Sequence, residues 1–171
     1  MKKEIISLIV VFLIVIGVLV GFLLYNQWPL LTGERFVLAT TPVDPFDPIR
    51  GQYMQIGYEI SQVDTEGFEV GDRIYVVLEE DESGIWRSLD TLKKKPSKGD
   101  FIRGKISGLS LNGARIEYGI EQFFFERNAK LPTGNVTVEV AITGSGRAGI
   151  VQLLQDGEPI DIDYQDFSWR R

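Results

Sequence analysis

The sequence predicts an all-β domain, a sandwich or partly open barrel of short antiparallel strands, preceded by one N-terminal transmembrane α-helix. Three observations carry this. Residues 5–24 hold no charge, and only Ser7, Gly17 and Gly21 interrupt their apolar character. After them, seven or more short segments rich in β-branched and aromatic residues are separated by Gly, Asn and Asp turns. No long segment shows the 3.6-residue apolar period of an amphipathic helix.

The apolar run comes first. Twenty residues at ~1.5 Å each span ~30 Å, the thickness of a bilayer's hydrocarbon core. A buried helix of a soluble domain would carry a polar stripe, and this run has none. A cleaved signal peptide has an apolar core of ~7–15 residues ending at a small-x-small site. Here the exit reads Tyr25, Asn26, Gln27, Trp28, Pro29, so an uncleaved anchor is expected. Lys2 and Lys3 precede the run and the first basic residue after it is Arg35, which keeps the N-terminus cytoplasmic. Tyr25 and Trp28 suit the opposite interface. The expected organisation is a cytoplasmic N-terminus at 1–4, an anchor at 5–25, a linker at 26–34 and an extracytoplasmic β domain at 35–171.

Within that domain, residues 36–39 read as a strand. Pro42, Asp44, Pro45, Asp47 and Pro48 follow, and such a run continues neither a ladder nor a helix, so it forms a loop or arm. Met54, Ile56, Tyr58 and Ile60 then alternate with Tyr53, Gln55, Gly57 and Glu59, the pattern of a half-buried strand. Residues 73–79 are apolar on both faces, as in a central strand. The acidic stretch 79–82 with Ser83 and Gly84 makes a solvated hairpin tip before residues 85–88 resume. Segments 101–106 and 114–118 flank Asn112 and Gly113, a dipeptide suited to a tight hairpin. Segments 136–142 and 149–154 pair around Gly144, Ser145 and Gly146, and Asp156 with Gly157 turns the chain again. Residues 120–126 fit either a strand or a helical turn.

Composition narrows the function. The net charge is −6; because Lys2, Lys3 and Glu4 carry a net +1, the part after the apolar run carries −7. An acidic domain is a poor partner for nucleic acid. No cysteine is present, so neither disulfides nor thiolate ligands arise. No histidine is present either, which removes the commonest general base, the usual zinc ligand and the Ser-His-Asp triad. The acidic stretches 79–82 and Asp161, Asp163, Asp166 lack the spacing of a calcium loop. No metal and no cofactor are expected.

The stretch Arg50, Gly51, Gln52, Tyr53, Met54, Gln55, Ile56, Gly57, Tyr58 resembles the signature of the bacterial GDYXXLXY family, behind an Asp-Pro-rich arm. Tyr118, Gly119, Ile120, Glu121, Gln122, Phe123, Phe124 resembles that family's Tyr-Gly-Ile-Glu-aromatic block. Gly146 to Ile150, followed by Asp156 and Gly157, resembles its C-terminal pattern. Gln52 stands where the signature has Asp, and Ile56 where it has Leu. The resemblance implies location and architecture, a membrane-anchored protein of a kind sometimes thought to accompany a multi-pass membrane protein; it supplies no reaction.

Two readings of the signature compete. In one, Tyr58 packs in the core while Arg50 and Tyr53 fix the entry of the arm into the sheet. In the other, Asp44, Asp47, Arg50, Tyr53, Tyr58, Glu121 and Phe123 form a partner-binding surface, because Arg and Tyr dominate interface energetics. Three successive aromatics at 123–125 cannot all face one core. The expected role is a non-enzymatic accessory or scaffold that binds another membrane or envelope component. A binding module for a small or polymeric envelope ligand is the alternative. A hydrolase of carboxylate or Ser-Lys type comes third: phrases such as Gly71-Asp72-Arg73-Ile74 are similar to strand starts of signal peptidases, but no Ser-Met-x-Pro nucleophile motif follows the anchor.

Overall fold

The computed structural model describes residues 2–41, 53–63, 67–110, 113–124 and 136–160. Helix α1 (Lys2–Thr32) is long and apolar enough to cross a membrane. Residues 3–28 are all exposed, unlike those of a buried core helix. The helix does not stop at the apolar run. Residues 26–32, expected to be linker, continue it as almost two further turns, and Pro29 is fully buried against the domain. Pro29 brings no N–H to the helix ladder, and one turn later the helix closes, where the Gly33 N–H donates to the Pro29 carbonyl at 2.8 Å.

Eleven strands follow among the described residues: β1 (Glu34–Thr41), β2 (Tyr53–Gln55), β3 (Gly57–Tyr58), β4 (Arg73–Glu80), β5 (Trp86–Leu92), β6 (Asp100–Ser110), β7 (Gly113–Glu117), β8 (Gln122–Phe124), β9 (Val136–Ile142), β10 (Ala148–Gln155) and β11 (Glu158–Pro159). Nine form one open sheet, in the order β11-β10-β9-β1-β5-β4-β6-β7 with β3 also on β1; β2 and β8 make a separate pair. The domain is therefore all-β, as expected. One contact departs from the antiparallel rule: β1 meets β5 in parallel, with Leu38 opposite Trp86. The sheet is mixed for that reason, and the Phe36 ring packs edge-on to Trp86 at 4.7 Å across the same seam.

Period-two patterning decides which side of each strand is buried. Leu38, Ile74, Val76, Ile102, Ile106, Val138 and Val140 are wholly withdrawn from solvent and share one core. Register shifts between Val77 and Leu78, Ile106 and Gly108, and Ile150 and Gln152 bend the strands so that the sheet wraps this core. β4 is central, between β5 and β6, as its two apolar faces required. Residues 122–124 resolve as strand rather than helical turn.

The hairpin expected around Asn112 and Gly113 forms: β6 and β7 pair antiparallel, with Ser110 opposite Gly113, and residues 111 and 112 lie outside the described residues. One local expectation needs correction. The alternation from 54 to 60 does not mark one strand. β2 pairs with β8, β3 pairs with β1, and Glu59–Ser61 is a 3-10 turn. Burial still alternates, with Ile56, Tyr58 and Ile60 inside, because alternation reports which side faces the core and not which strand is the neighbour.

The acidic tip is held by Asp81. Its Oδ1 accepts from the Ser83 N–H at 2.9 Å, the Ser83 hydroxyl at 2.5 Å and the Ile85 N–H at 3.1 Å, and its Oδ2 accepts from Arg87 Nε at 2.7 Å. Arg87 also reaches Glu59 at 2.5 Å and so ties the tip to the 3-10 turn. The Ser83 hydroxyl and the Arg87 guanidinium hold the Asp81 carboxyl well below the usual carboxylate range. The stabilisation from Asp81 is therefore complete above its unfolded-state value of ~4 and drains away as pH falls through the lower folded-state value. Asp81→Asn is expected to flatten the acid limb of the stability profile below about pH 4, read by denaturant melts at stepped pH.

Candidate functional site

The signature and the Tyr-Gly-Ile-Glu block meet in space. The Tyr58 hydroxyl donates to the Ile120 carbonyl at 2.7 Å, and the Tyr118 hydroxyl donates to the Ile60 carbonyl at 2.5 Å. Each tyrosine thus reaches from its own segment to a backbone oxygen of the other. The Ile56 N–H adds a third bond, to the Glu121 carbonyl, at 2.7 Å. Both phenols are buried, and every one of these bonds satisfies a group that would otherwise be stranded in the core.

Glu121 shapes one half of this clasp. Its carboxylate accepts from the Tyr118 N–H and, at 3.0 Å, from the Gly119 N–H. Gly119 has φ +84°, a conformation that favours glycine, and the two amides converge on one carboxylate because of that turn. Burial pushes the Tyr58 and Tyr118 phenols far above their ordinary range, and the Glu121 charge adds to the effect. Neutral, with their donors committed, these phenols serve as fasteners rather than as acids or nucleophiles.

Above the clasp lies a cleft of about 700 Å³. Its lining comes from Ala114, Arg115, Ile116 and Glu117 of β7, from Thr41, from the signature stretch Gln55 to Tyr58 with Ser61 and Gln62, and from Gly119, Glu121 and Gln122. β7 is the last strand of the sheet among the described residues, and it lines the cleft. Ala114, Ile116 and Tyr118 point inward, which turns Arg115 and Glu117 out to solvent. The lining offers a cation, carboxylates, amides and a hydroxyl beside an open strand edge. Among the described residues no group of three metal-ligating side chains is present.

The chain belongs to the GDYXXLXY family. The model of that family, described as GDYXXLXY protein, matches residues 15–153, so the end of α1, the clasp and the cleft all lie inside the match. No curated protein matches the chain, and no solved structure does. For this GDYXXLXY protein the last signature tyrosine, Tyr58, is a core fastener, and the position where the family has Leu is Ile56, buried beside it.

The expected site residues divide accordingly. Tyr58 and Glu121 are brought together, but as structure: one is buried and the other caps a turn. Phe123 packs against the core and lies opposite Met54 in the β2–β8 pair. Tyr53 is in β2, opposite Phe124, with its side chain outside the description. Asp44, Asp47, Arg50 and Gln52 lie outside the described residues, as do Phe125 and the acidic residues 161–166. Thr41 and Gln55, which flank the unassigned arm, both line the cleft. Sequence reasoning missed Arg115, Glu117 and Gln55. Their signal was present, since Arg115 and Glu117 occupy the polar phase of an alternating strand, but that phase looks alike on every solvated strand.

Proposed function

We propose that this GDYXXLXY protein is a single-span membrane accessory protein whose β domain lies outside the cytoplasm and binds another membrane or envelope protein at the cleft beside β7. The observation that carries the reading is the position of the cleft. It opens on the junction between the two family blocks, and it is bordered by a sheet edge with main-chain donors and acceptors to offer. An extended segment of a partner added to that edge would gain ladder hydrogen bonds, with Arg115 and Glu117 reading its charges. The apolar helix with Lys2 and Lys3 on one side and Tyr25 and Trp28 on the other supports the anchor and its orientation. The alternative, a module for a small or polymeric envelope ligand, is favoured by one number: about 700 Å³ lies within the size range of ligand pockets.

Crosslinking of the full-length chain in its native membrane, followed by recovery and mass spectrometry, tests the proposal. Wild type is expected to recover a specific membrane or envelope protein, and Arg115→Glu is expected to lose it while melting like wild type. Arg50→Ala is the companion variant for the arm. Recovery of nothing by wild type, or of the same partners by both variants, would reject the cleft as the binding surface and turn attention to soluble ligands.

A further inference from the structure

We infer that the β9–β10 turn, residues 143–147, is a foot that rests in the lipid headgroup layer, where Arg147 engages anionic lipid phosphate. The inference rests on the anchor reading above, and it follows from how α1 is joined to the sheet. Tyr25 is the first residue after the apolar run of residues 5–24 and, with Asn26 and Gln27 behind it, marks the headgroup boundary. The Arg147 guanidinium carbon lies 3.8 Å from the centre of the Tyr25 ring. Further from the membrane, Gly149 is packed on the helix so closely that a Cβ there would lie 3.1 Å from Leu30 and 3.4 Å from Pro29.

These two contacts set a direction. Between Tyr25 and Leu30 the helix rises ~7.5 Å, and between Arg147 and Gly149 a strand rises ~6.8 Å. β10 therefore runs beside the helix and away from the bilayer, which leaves the turn at 144–146 on the bilayer side of Arg147. Gly144 and Ser145 are exposed there.

The turn is rigid. The Thr143 N–H donates to the Arg147 carbonyl at 2.9 Å, and the Gly146 N–H donates to the Thr143 carbonyl at 2.7 Å. From the other side of the sheet, the Arg103 N–H donates to the Gly146 carbonyl at 2.8 Å. Gly146 has φ +80°, and a Cβ on it would meet Phe101 at 2.8 Å and Arg103 at 2.9 Å. Arg103 thus stands at the same level as Arg147, and Lys95 lies over the Phe101 ring at 5.6 Å. Among the described residues, none of these three cations takes part in an ion pair.

The chemistry fits phosphate. With one face of the Arg147 guanidinium against the Tyr25 ring, its N–H edge remains to bind oxygen anions in the forked geometry that lysine lacks. The residues after the apolar run carry a net −7, so an anionic surface repels the domain as a whole and favours the orientation that presents this cationic end.

The absence of native cysteine allows single-site probes. Full-length chains carrying Ser145→Cys, Glu158→Cys or Gly17→Cys are labelled with a fluorophore and reconstituted in nanodiscs of zwitterionic lipid, with and without phosphatidylglycerol, containing a headgroup-linked quencher. The Ser145 label is expected to be quenched several-fold more than the Glu158 label, which sits beyond the far end of β10. Phosphatidylglycerol should increase that quenching, and Arg147→Gln should abolish the increase. A Ser145 label no more quenched than the Glu158 label, or quenching equal in the two lipids, overturns the inference. The Gly17 label separates the two readings: if it reports water rather than the bilayer core, the anchor itself has failed.

Discussion

Tyr58→Ala is expected to cost the domain about 3–5 kcal/mol, a large share of the roughly 5–15 kcal/mol that holds a typical domain folded. The loss has two parts. A buried ring next to Ile56 and Ile60 is removed from the core, and the Ile120 carbonyl loses its donor. Tyr58→Phe isolates the second part and should cost about 1–3 kcal/mol, the penalty for a buried carbonyl left unpaired. Tyr118→Phe strips the Ile60 carbonyl in the same way. Because both bonds hold one junction, the double variant should depart from additivity by about 0.5 kcal/mol or more. Urea melts of the full-length chain in detergent read all three. Additive phenylalanine variants, each costing nothing, would show that the two hydroxyl bonds do not hold the junction.

The same clasp sets an alkaline limit. Both phenols have folded-state values raised far above the ordinary tyrosine value, mainly by burial. Their stabilisation is fully present below the unfolded value of ~10 and is lost as pH rises from there toward the folded values. The Tyr58→Phe, Tyr118→Phe double variant should lose stability less steeply above about pH 10 than wild type does.

Gly33→Ala is expected to cost about 3 kcal/mol, the upper end for overpacking, and to detach the helix end from the sheet. A Cβ at this position would lie 2.5 Å from the Pro29 carbonyl oxygen, 2.8 Å from the Ile142 nitrogen and 2.9 Å from the Ala141 carbonyl carbon. All three are backbone atoms, so no side-chain rotation relieves the clash. Gly17→Ala is the control, since nothing lies within 4 Å of that position inside the protein. Hydrogen exchange should show faster exchange at 30–33 and along β9 in Gly33→Ala, with the far hairpin of β10 and β11 unchanged. If exchange and melting match wild type, the helix end is not clamped, and the foot at 143–147 loses its rigid support.

Strand positions were legible because burial on one side of a pleat imposes a period of two on the residues themselves. Ile74, Val76 and Leu78 announced β4, and Val138 and Val140 announced β9, before any neighbour was known. The apolar helix was legible for an equally local reason, an uninterrupted run of the right length. The candidate site was half legible: the signature and the Tyr-Gly-Ile-Glu block stood out, but their meaning did not. Tyr58 was open to two readings, core packing or interface, and the core reading holds; what no local pattern reveals is that its hydroxyl partner is the Ile120 carbonyl, 62 residues away.

By itself, then, the sequence determined the apolar helix, the all-β class and the buried phase of nearly every strand, because each depends on the order of side chains along a short segment. Tertiary structure alone decided that β2 and β3 join different sheets, that β5 lies parallel to β1, that the helix runs through 26–32 onto β10, and that Arg115 and Glu117 face a cleft. Those features depend on which distant segments close against one another, and such closure is selected by the shape and polarity of surfaces that exist only once the chain has folded.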